Sequence, residues 1–145
     1  MQKSADVIMR SLQLTNEWIN EMKNEMKWDD DHKAWEALKC ALQAFRDRLT
    51  VDEAANFGAQ LPMIVRGGFY EGWKPSTAPH KWRTWDELLA PIKNHFRNDP
   101  SADPEKIATT TWEILCNHLT PGEMNSVRNM MPEQIREWLP VPGTA

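Results

Sequence analysis

The sequence predicts an all-α protein, an orthogonal helical bundle of about eight helices. Apolar residues recur at intervals of three and four along most of the 145 residues, which is the period of an amphipathic helix. No segment shows the alternation of apolar and polar residues that a half-buried strand requires. In addition, shifting the chain against itself by 70 positions aligns matching residues without a gap, which indicates an internal repeat.

The internal repeat predicts a single domain, residues 1–145, built from two four-helix repeat units. The aligned pairs are Leu49 over Leu119, Thr50 over Thr120, Glu53 over Glu123, Pro62 over Pro132, Val65 over Ile135, Arg66 over Arg136 and Phe69 over Leu139. The predicted parts are unit one at residues 5–73, a linker at 72–84, unit two at 85–139 and a flexible tail at 140–145.

Apolar spacing predicts the first two helices of unit one. The first runs from Ala5 to about Lys27, where Thr15 interrupts the stripe and Trp18 widens it. The residues of that stripe are Ile8, Leu12, Ile19, Met22 and Met26. Either Asp30 or Asp31 can cap the second helix. Its predicted buried face consists of Ala34, Leu38, Ala41, Leu42, Phe45 and Leu49.

Two shorter helices complete unit one. Thr50 and Glu53 form a capping box, in which each side chain hydrogen-bonds the backbone N–H of the other residue, so a helix begins at Val51. Pro62 suits the first position of the next helix, because its missing N–H is no loss there. The predicted core side chains of that helix are Met63, Ile64, Val65 and Phe69.

Unit two repeats these signals after the linker, whose prolines and lack of apolar period predict a connection that is functional or mobile. Thr84 and Thr120 each start a capping box, Asp103 caps the helix between them, and Pro132 starts the last helix. Pro91 predicts a kink or a late helix start. The predicted inward residues are Trp85, Leu88, Leu89, Ile92, Phe96, Ile107, Thr111, Ile114, Leu115, Leu119, Met124, Val127, Met130, Met131, Ile135, Trp138 and Leu139.

Composition excludes several classes of function. The 17 Lys and Arg against 21 Asp and Glu give a net charge of −4 without a basic block, which disfavours nucleic-acid binding. The two cysteines, Cys40 and Cys116, have no CxxC spacing and indicate a reducing compartment. No apolar run is long enough to span a membrane. We therefore expect a soluble, cytoplasmic protein.

No catalytic, metal-binding or cofactor-binding pattern is present in the sequence. The four histidines, His32, His80, His95 and His118, have no ligand spacing, and the acids before His32 are typical of a helix cap rather than a metal site. His95 or His118 could serve as an axial haem ligand, but a position at the edge of the core is the favoured interpretation. Cys40 has no context of an activated nucleophile. The predictions are therefore no catalytic residue, no metal and no cofactor.

Arg66, Gly67 and Gly68 are the first candidate binding residues. Arg66 can pair with a carboxylate such as that of Glu53 or Glu123, can bond helix-end carbonyls, or can capture an anion. Two glycines within a helix are unfavourable, so Gly67 and Gly68 predict close approach of a neighbouring helix or of a ligand.

A basic and aromatic stretch follows these glycines. Its aromatic residues are Phe69, Tyr70, Trp73, Trp82 and Trp85, and its basic residues are Lys74, His80, Lys81 and Arg83. Such a stretch can anchor a core or a linker, contact a protein, or bind a small anion or a nucleic acid. We favour anchoring, with partial burial of Trp73 and a hydrogen bond from its indole N–H to a linker carbonyl.

Three segments give the chain a resemblance to a known family. These segments are residues 46–55, residues 58–62, and Arg66-Gly67 with Tyr70-Glu71-Gly72-Trp73. They resemble the bacterial family catalogued as domain of unknown function 2267, from which the chain departs at Gly68 and Pro91. The resemblance implies a small all-helical domain with an orthogonal bundle fold and no assigned activity, cofactor or catalytic residue.

The leading hypothesis is a non-enzymatic protein-interaction or self-association module. The residues that we expect to contribute are Arg66, Gly67, Gly68, Tyr70, Trp73, Lys81, Trp82 and Arg83. The alternative is a small-anion or cofactor-binding protein that uses Arg66 and the linker, and an enzyme is the least favoured class. An interaction module predicts an exposed apolar patch, whereas a ligand site predicts a concave pocket that contains Arg66 and a histidine.

Overall fold

The computed structural model describes residues 2–143, with side chains from Ser4 onward, and within this range it has eight α-helices and no strand. The predicted all-α class is confirmed. The helices are α1 (Gln2–Met26), α2 (Asp31–Arg48), α3 (Val51–Gly58), α4 (Met63–Tyr70), α5 (Trp85–His95), α6 (Pro104–His118), α7 (Pro121–Asn129) and α8 (Glu133–Arg136). A short 3₁₀ turn, Pro75–Thr77, lies between α4 and α5.

Local signals define where most helices begin. All three capping boxes are formed, at Thr50, Thr84 and Thr120. The Asp30 side chain accepts a hydrogen bond from the backbone N–H of Lys33, and the equivalent cap of α6 is Asp103. These predictions are confirmed, because a cap depends only on residues within one turn of each other.

The prediction that Pro62 and Pro132 are the first residues of their helices is wrong. Pro62 and Pro132 occupy the capping position before α4 and α8 rather than the first helical position. A late start of α5 is also wrong, because α5 begins at Trp85 and Pro91 lies within it.

Helix α2 occupies the centre of the bundle and packs against α1, α4, α5 and α6. Its predicted buried face is confirmed, since all six of those side chains are buried. The buried apolar residues of all eight helices join one cluster that extends from Trp18 to Leu139.

Arg46, also on α2, is buried within this core and donates to the carbonyl oxygens of Phe69 and Glu71 at 2.8 and 2.9 Å. These bonds hold the C-terminal end of α4, because they satisfy carbonyls that have no partner within the helix.

The inward face of α1 differs from the predicted stripe. Ile8 and Leu12 are exposed, and the buried line consists of Ser11, Thr15, Trp18, Met22 and Met26. Two hydroxyl side chains can lie inside because both have backbone partners. Thr15 Oγ1 donates to Ser11 O at 2.7 Å, and Ser11 Oγ accepts from the N–H of Ile64 at 3.1 Å.

Three more side chains predicted to lie inward are exposed, namely Met63, Met130 and Trp138. Trp138 instead stacks on Trp85, with ring centroids 5.4 Å apart and an interplanar angle of 7°. Within the predicted tail, Pro142 is buried, and Pro140 O accepts a hydrogen bond from Trp112 Nε1 at 2.9 Å. Residues 144–145 of that tail lie outside the described part of the chain.

Candidate functional site

Arg66 bonds to the end of the preceding helix. Its Nε donates to Gly58 O at 3.0 Å, and its Nη2 donates to Ala59 O and Leu61 O at 3.2 and 3.0 Å. Arg66 therefore bonds helix-end carbonyls, which is one of the alternatives predicted for it. Arg136 lies 70 positions after Arg66, but near α8 it is Arg128 that donates to a helix-end segment, at Leu139 O, 2.8 Å away.

The two glycines of α4 have different surroundings. A Cβ atom on Gly68 would lie 3.0 Å from side-chain atoms of Trp35 and Lys39 on α2, so the prediction of a close neighbouring helix holds for this residue. Gly67 is exposed, and a Cβ atom there would meet nothing within 4 Å. No neighbouring helix therefore approaches Gly67, and of the two predicted alternatives only approach of a ligand stays a prediction for this residue.

Tyr70 and Trp73 pack at the C-terminal end of α4. The Tyr70 ring lies over Gly58, and its centroid is 5.3 Å from that of Trp73. Trp73 is half-buried, as predicted, but its indole N–H is buried and has no hydrogen-bond partner among the described residues. The predicted bond from this N–H to a linker carbonyl is therefore absent.

The linker is held against the C-terminal end of α2. His80 N–H donates to Asp47 O at 2.7 Å, and Arg48 Nε donates to Trp82 O at 2.8 Å. Trp82 stacks on His80 at a centroid distance of 4.7 Å, whereas Lys81 and Arg83 are exposed. Within residues 2–143, no hydrogen bond or ring contact joins Trp82 to the α4 candidates. The α4 candidates and Trp82 are thus not in direct contact, and the eight predicted binding residues stay a prediction.

An exposed apolar surface lies instead at the start of α1, which is the longest helix. Val7 and Ile8 are each 55% exposed, Leu12 is 46% exposed, and Met63 from α4 is 51% exposed. We call these four residues the α1 apolar surface. Ser4, Val7, Ile8 and Met63 line a shallow groove of about 400 Å³ within it.

The α1 apolar surface exists because α1 extends beyond the helices that cover it. Its 25 residues span about 37 Å, whereas the 18 residues of α2 span about 27 Å. The buried line that contains Ser11 and Trp18 continues toward the N-terminus, at the same spacing, into Ser4, Val7 and Ile8. The predicted length of the first helix was the sequence signal that could have revealed this surface.

The concave pocket with Arg66 and a histidine that a ligand site predicts has a counterpart in a cleft of about 330 Å³ where three elements meet. Leu14 and Trp18 come from α1, residues 59–62 and Arg66 from the α3–α4 connection and α4, and His118 and Leu119 from the end of α6. The His118 ring stacks on Trp18 at 5.1 Å and pairs with the Glu21 carboxylate. Arg66 and a histidine thus line one concave pocket.

Neither cysteine has the properties of a nucleophile. Burial raises the pKa of the Cys40 thiol to about 11 and also raises the pKa of Cys116, whereas reactive cysteines have lowered values.

Among the described residues, no group of three or more histidine, cysteine or acidic side chains is arranged to hold a metal ion. His95 lies 3.6 Å from the Glu36 carboxylate at the surface.

The fold of residues 2–143 defines a small all-helical protein with a single apolar core. A family model described as "Uncharacterized conserved protein (DUF2267)" matches residues 15–138. The chain therefore belongs to this family, as its sequence motifs predicted. A search of curated proteins found no match. None of the helices in the described part of the chain is long and apolar enough to cross a lipid bilayer.

Proposed function

We propose that this chain is a non-enzymatic interaction module that self-associates through the α1 apolar surface. The observation that carries the proposal is the apolar line of α1, which continues past the edge of the bundle and is left uncovered at Val7 and Ile8. Large exposed apolar patches mark contact surfaces more often than isolated exposed residues do. This location replaces the one predicted around Tyr70, Trp73 and the linker.

A second copy of the chain is the occupant that suits this surface. The four residues of the α1 apolar surface include no ionisable group, and Asp6 and Arg10 lie toward the other side of α1 at 3.6 residues per turn. Two copies related by a twofold axis can therefore face each other without like-charge repulsion. Twofold dimers are also the commonest form of homo-oligomer.

The expected dimer is weak. Full burial of an aliphatic side chain is worth about 1.5–3 kcal/mol, so four half-exposed side chains offer roughly 3–6 kcal/mol per copy. Two copies offer roughly 6–12 kcal/mol, and association itself costs about 4–15 kcal/mol. We therefore expect reversible dimerisation that depends on protein concentration rather than a permanent dimer.

Sedimentation velocity over a wide concentration range tests the proposal. The wild type should shift from monomer toward dimer as concentration rises, and Val7→Ser with Ile8→Ser should remain monomeric with an unchanged melting temperature. The matched control is Val51→Ser, because Val51 is an exposed valine on α3, 39% accessible. It should dimerise like the wild type.

Two results would contradict self-association. One is a wild type that stays monomeric at every concentration, and the other is a dimer that Val7→Ser with Ile8→Ser does not weaken. The broader interaction function would then require a purified partner whose binding is lost in that double variant and retained in Val51→Ser. Without such a partner the proposed function would be wrong as well.

The two-unit architecture and the orthogonal arrangement of the bundle belong to the same proposal. A groove of about 230 Å³ between α3 and α7 supports the repeat. Its lining consists of four pairs of residues, each pair 70 positions apart, namely Glu53 with Glu123, Asn56 with Ser126, Phe57 with Val127 and Gln60 with Met130. Such pairing of equivalent residues across the groove is expected if an internal twofold axis relates the two units. Cytoplasmic residence is also proposed, since Cys40 and Cys116 are unpaired.

A further inference from the structure

We propose that the cleft between α1, α4 and the end of α6 binds a small organic monocarboxylate with an apolar body, and that Arg66 supplies the cation. The cleft volume of about 330 Å³ lies within the usual range for small-molecule sites. This role is separate from self-association, because no residue of the α1 apolar surface lines the cleft.

Arg66 is held in place before any ligand arrives. Its three hydrogen bonds to the carbonyls of residues 58, 59 and 61 use only Nε and Nη2, so Nη1 takes no part in them. Arg66 forms no ion pair with the carboxylates of the described residues. A fixed guanidinium without a counter-ion at the rim of a cleft suits a carboxylate, because Nη1 can donate a charge-assisted hydrogen bond to one of its oxygens.

The other polar groups of the cleft limit the charge of the ligand. His118 pairs with the Glu21 carboxylate, and Asn117 Nδ2 donates to the same carboxylate at 3.1 Å. Glu21 therefore offsets any positive charge on His118, and Arg66 remains as the one uncompensated cation among the residues that line the cleft. A ligand with a single negative charge matches this single cation, whereas the second charge of a dianion would have no uncompensated cation among the lining residues to pair with.

The remaining walls determine the body of the ligand. Leu14, Pro62 and Leu119 are apolar and partly exposed, and the His118 ring, which stacks on the fully buried Trp18 indole, forms an aromatic wall. The Trp18 indole N–H is buried and has no partner among the described residues, as is also true of three other tryptophans. An apolar or aromatic body of modest size fits such walls, which contribute binding through apolar contact.

A titration with benzoate, followed by two-dimensional ¹H–¹⁵N NMR of the full chain, tests the proposal. We expect a dissociation constant in about the millimolar range, as is usual for so small a ligand. The amide signals of Gln60, Leu61 and Leu119 should shift. Benzamide, the neutral analogue, should bind at least about tenfold more weakly, because a hydrogen bond to a charged group is lost.

Three variants separate binding from folding. Arg66→Gln should weaken benzoate binding at least about tenfold, and Arg128→Gln is its matched control, since Arg128 also bonds carbonyls but does not line the cleft. Gln60→Trp fills the cleft from an exposed position and should abolish binding while all bonds of Arg66 remain. If Arg66→Gln does not fold, Gln60→Trp decides the question.

Three outcomes would overturn the proposal. The first is the absence of benzoate-dependent shifts at the cleft, and the second is binding that persists unchanged in both Arg66→Gln and Gln60→Trp. The third is inorganic phosphate binding as tightly as benzoate, because the site would then recognise charge without an apolar body.

Discussion

Substitution of two glycines by alanine, Gly67→Ala and Gly58→Ala, should change stability in opposite directions. Gly67 lies in the middle of α4, and an alanine Cβ at this position would have no neighbouring atom within 4 Å, so Gly67→Ala keeps the helix and reduces the entropy lost on folding. The expected gain is about 0.5–1 kcal/mol. For a chain of this size, that corresponds to a rise in melting temperature of about 1–4 °C.

Gly58 is the last residue of α3 and lies under the Tyr70 ring. A Cβ atom at this position would lie 2.2 Å from the Tyr70 hydroxyl oxygen and 2.6 Å from Cζ. The ring must therefore move, which disturbs its contacts with Phe69 and Trp73. Such overpacking costs about 1–3 kcal/mol, and the alanine returns less than about 1 kcal/mol at a helix end, so Gly58→Ala should destabilise the protein by about 1–2 kcal/mol.

Urea unfolding followed by circular dichroism measures both effects. In a Tyr70→Ala background, the added cost of Gly58→Ala should disappear, because the atoms that clash are gone. A loss of stability in Gly67→Ala would refute the assignment of Gly67 to open space. A full penalty for Gly58→Ala without the Tyr70 ring would refute the clash as its cause.

Two further predictions follow from capping and from charge. Thr50→Ala and Thr120→Ala should each cost about 1 kcal/mol in urea unfolding, because each removes the Oγ1 acceptor of a capping box. Unchanged midpoints in both variants would contradict this assignment. A hydrogen bond from Lys33, helped by Ser101, lowers the pKa of Asp99 from 3.8 to about 2. The stability that this group contributes is therefore present above about pH 4 and lost as pH falls toward 2, so Asp99→Asn should flatten that part of the stability profile. An unchanged acid dependence would count against a stabilising ion pair between Lys33 Nζ and Asp99 Oδ2, which lie 2.7 Å apart.

Some partners of the candidate binding residues lie nearby in the sequence, whereas others lie on helices that are distant in the sequence. Helix-end carbonyls were already among the partners that the sequence predicted for Arg66, since the segment that supplies them lies only five to eight positions away. For a ligand site the sequence predicted a pocket with Arg66 and one of the histidines, but it did not identify that histidine as His118, because the cleft joins α4 to the end of α6 across the bundle. No local pattern contains such a pairing, so the full lining of the cleft could not be predicted.

The α1 apolar surface also shows what the local sequence determines about apolar residues and what it does not. Periodicity tells which side of α1 faces the core, but it does not tell where along the helix the core ends. Val7 and Ile8 therefore have the spacing of buried residues and no cover. Conversely, Ser11 and Thr15 are polar in sequence, yet their hydroxyls are buried with backbone partners.

The helical class, the caps and the inward face of α2 could all be predicted from the chain alone, because they depend on interactions within a turn or two of one helix. Three other features emerged only from the folded bundle: Arg46 holds the end of α4, Gly68 lies under Trp35 while Gly67 lies in the open, and Trp138 stacks outside the core. Each of these depends on which helices meet and how far each one extends, and that outcome is set by the packing of the whole chain rather than by any single segment.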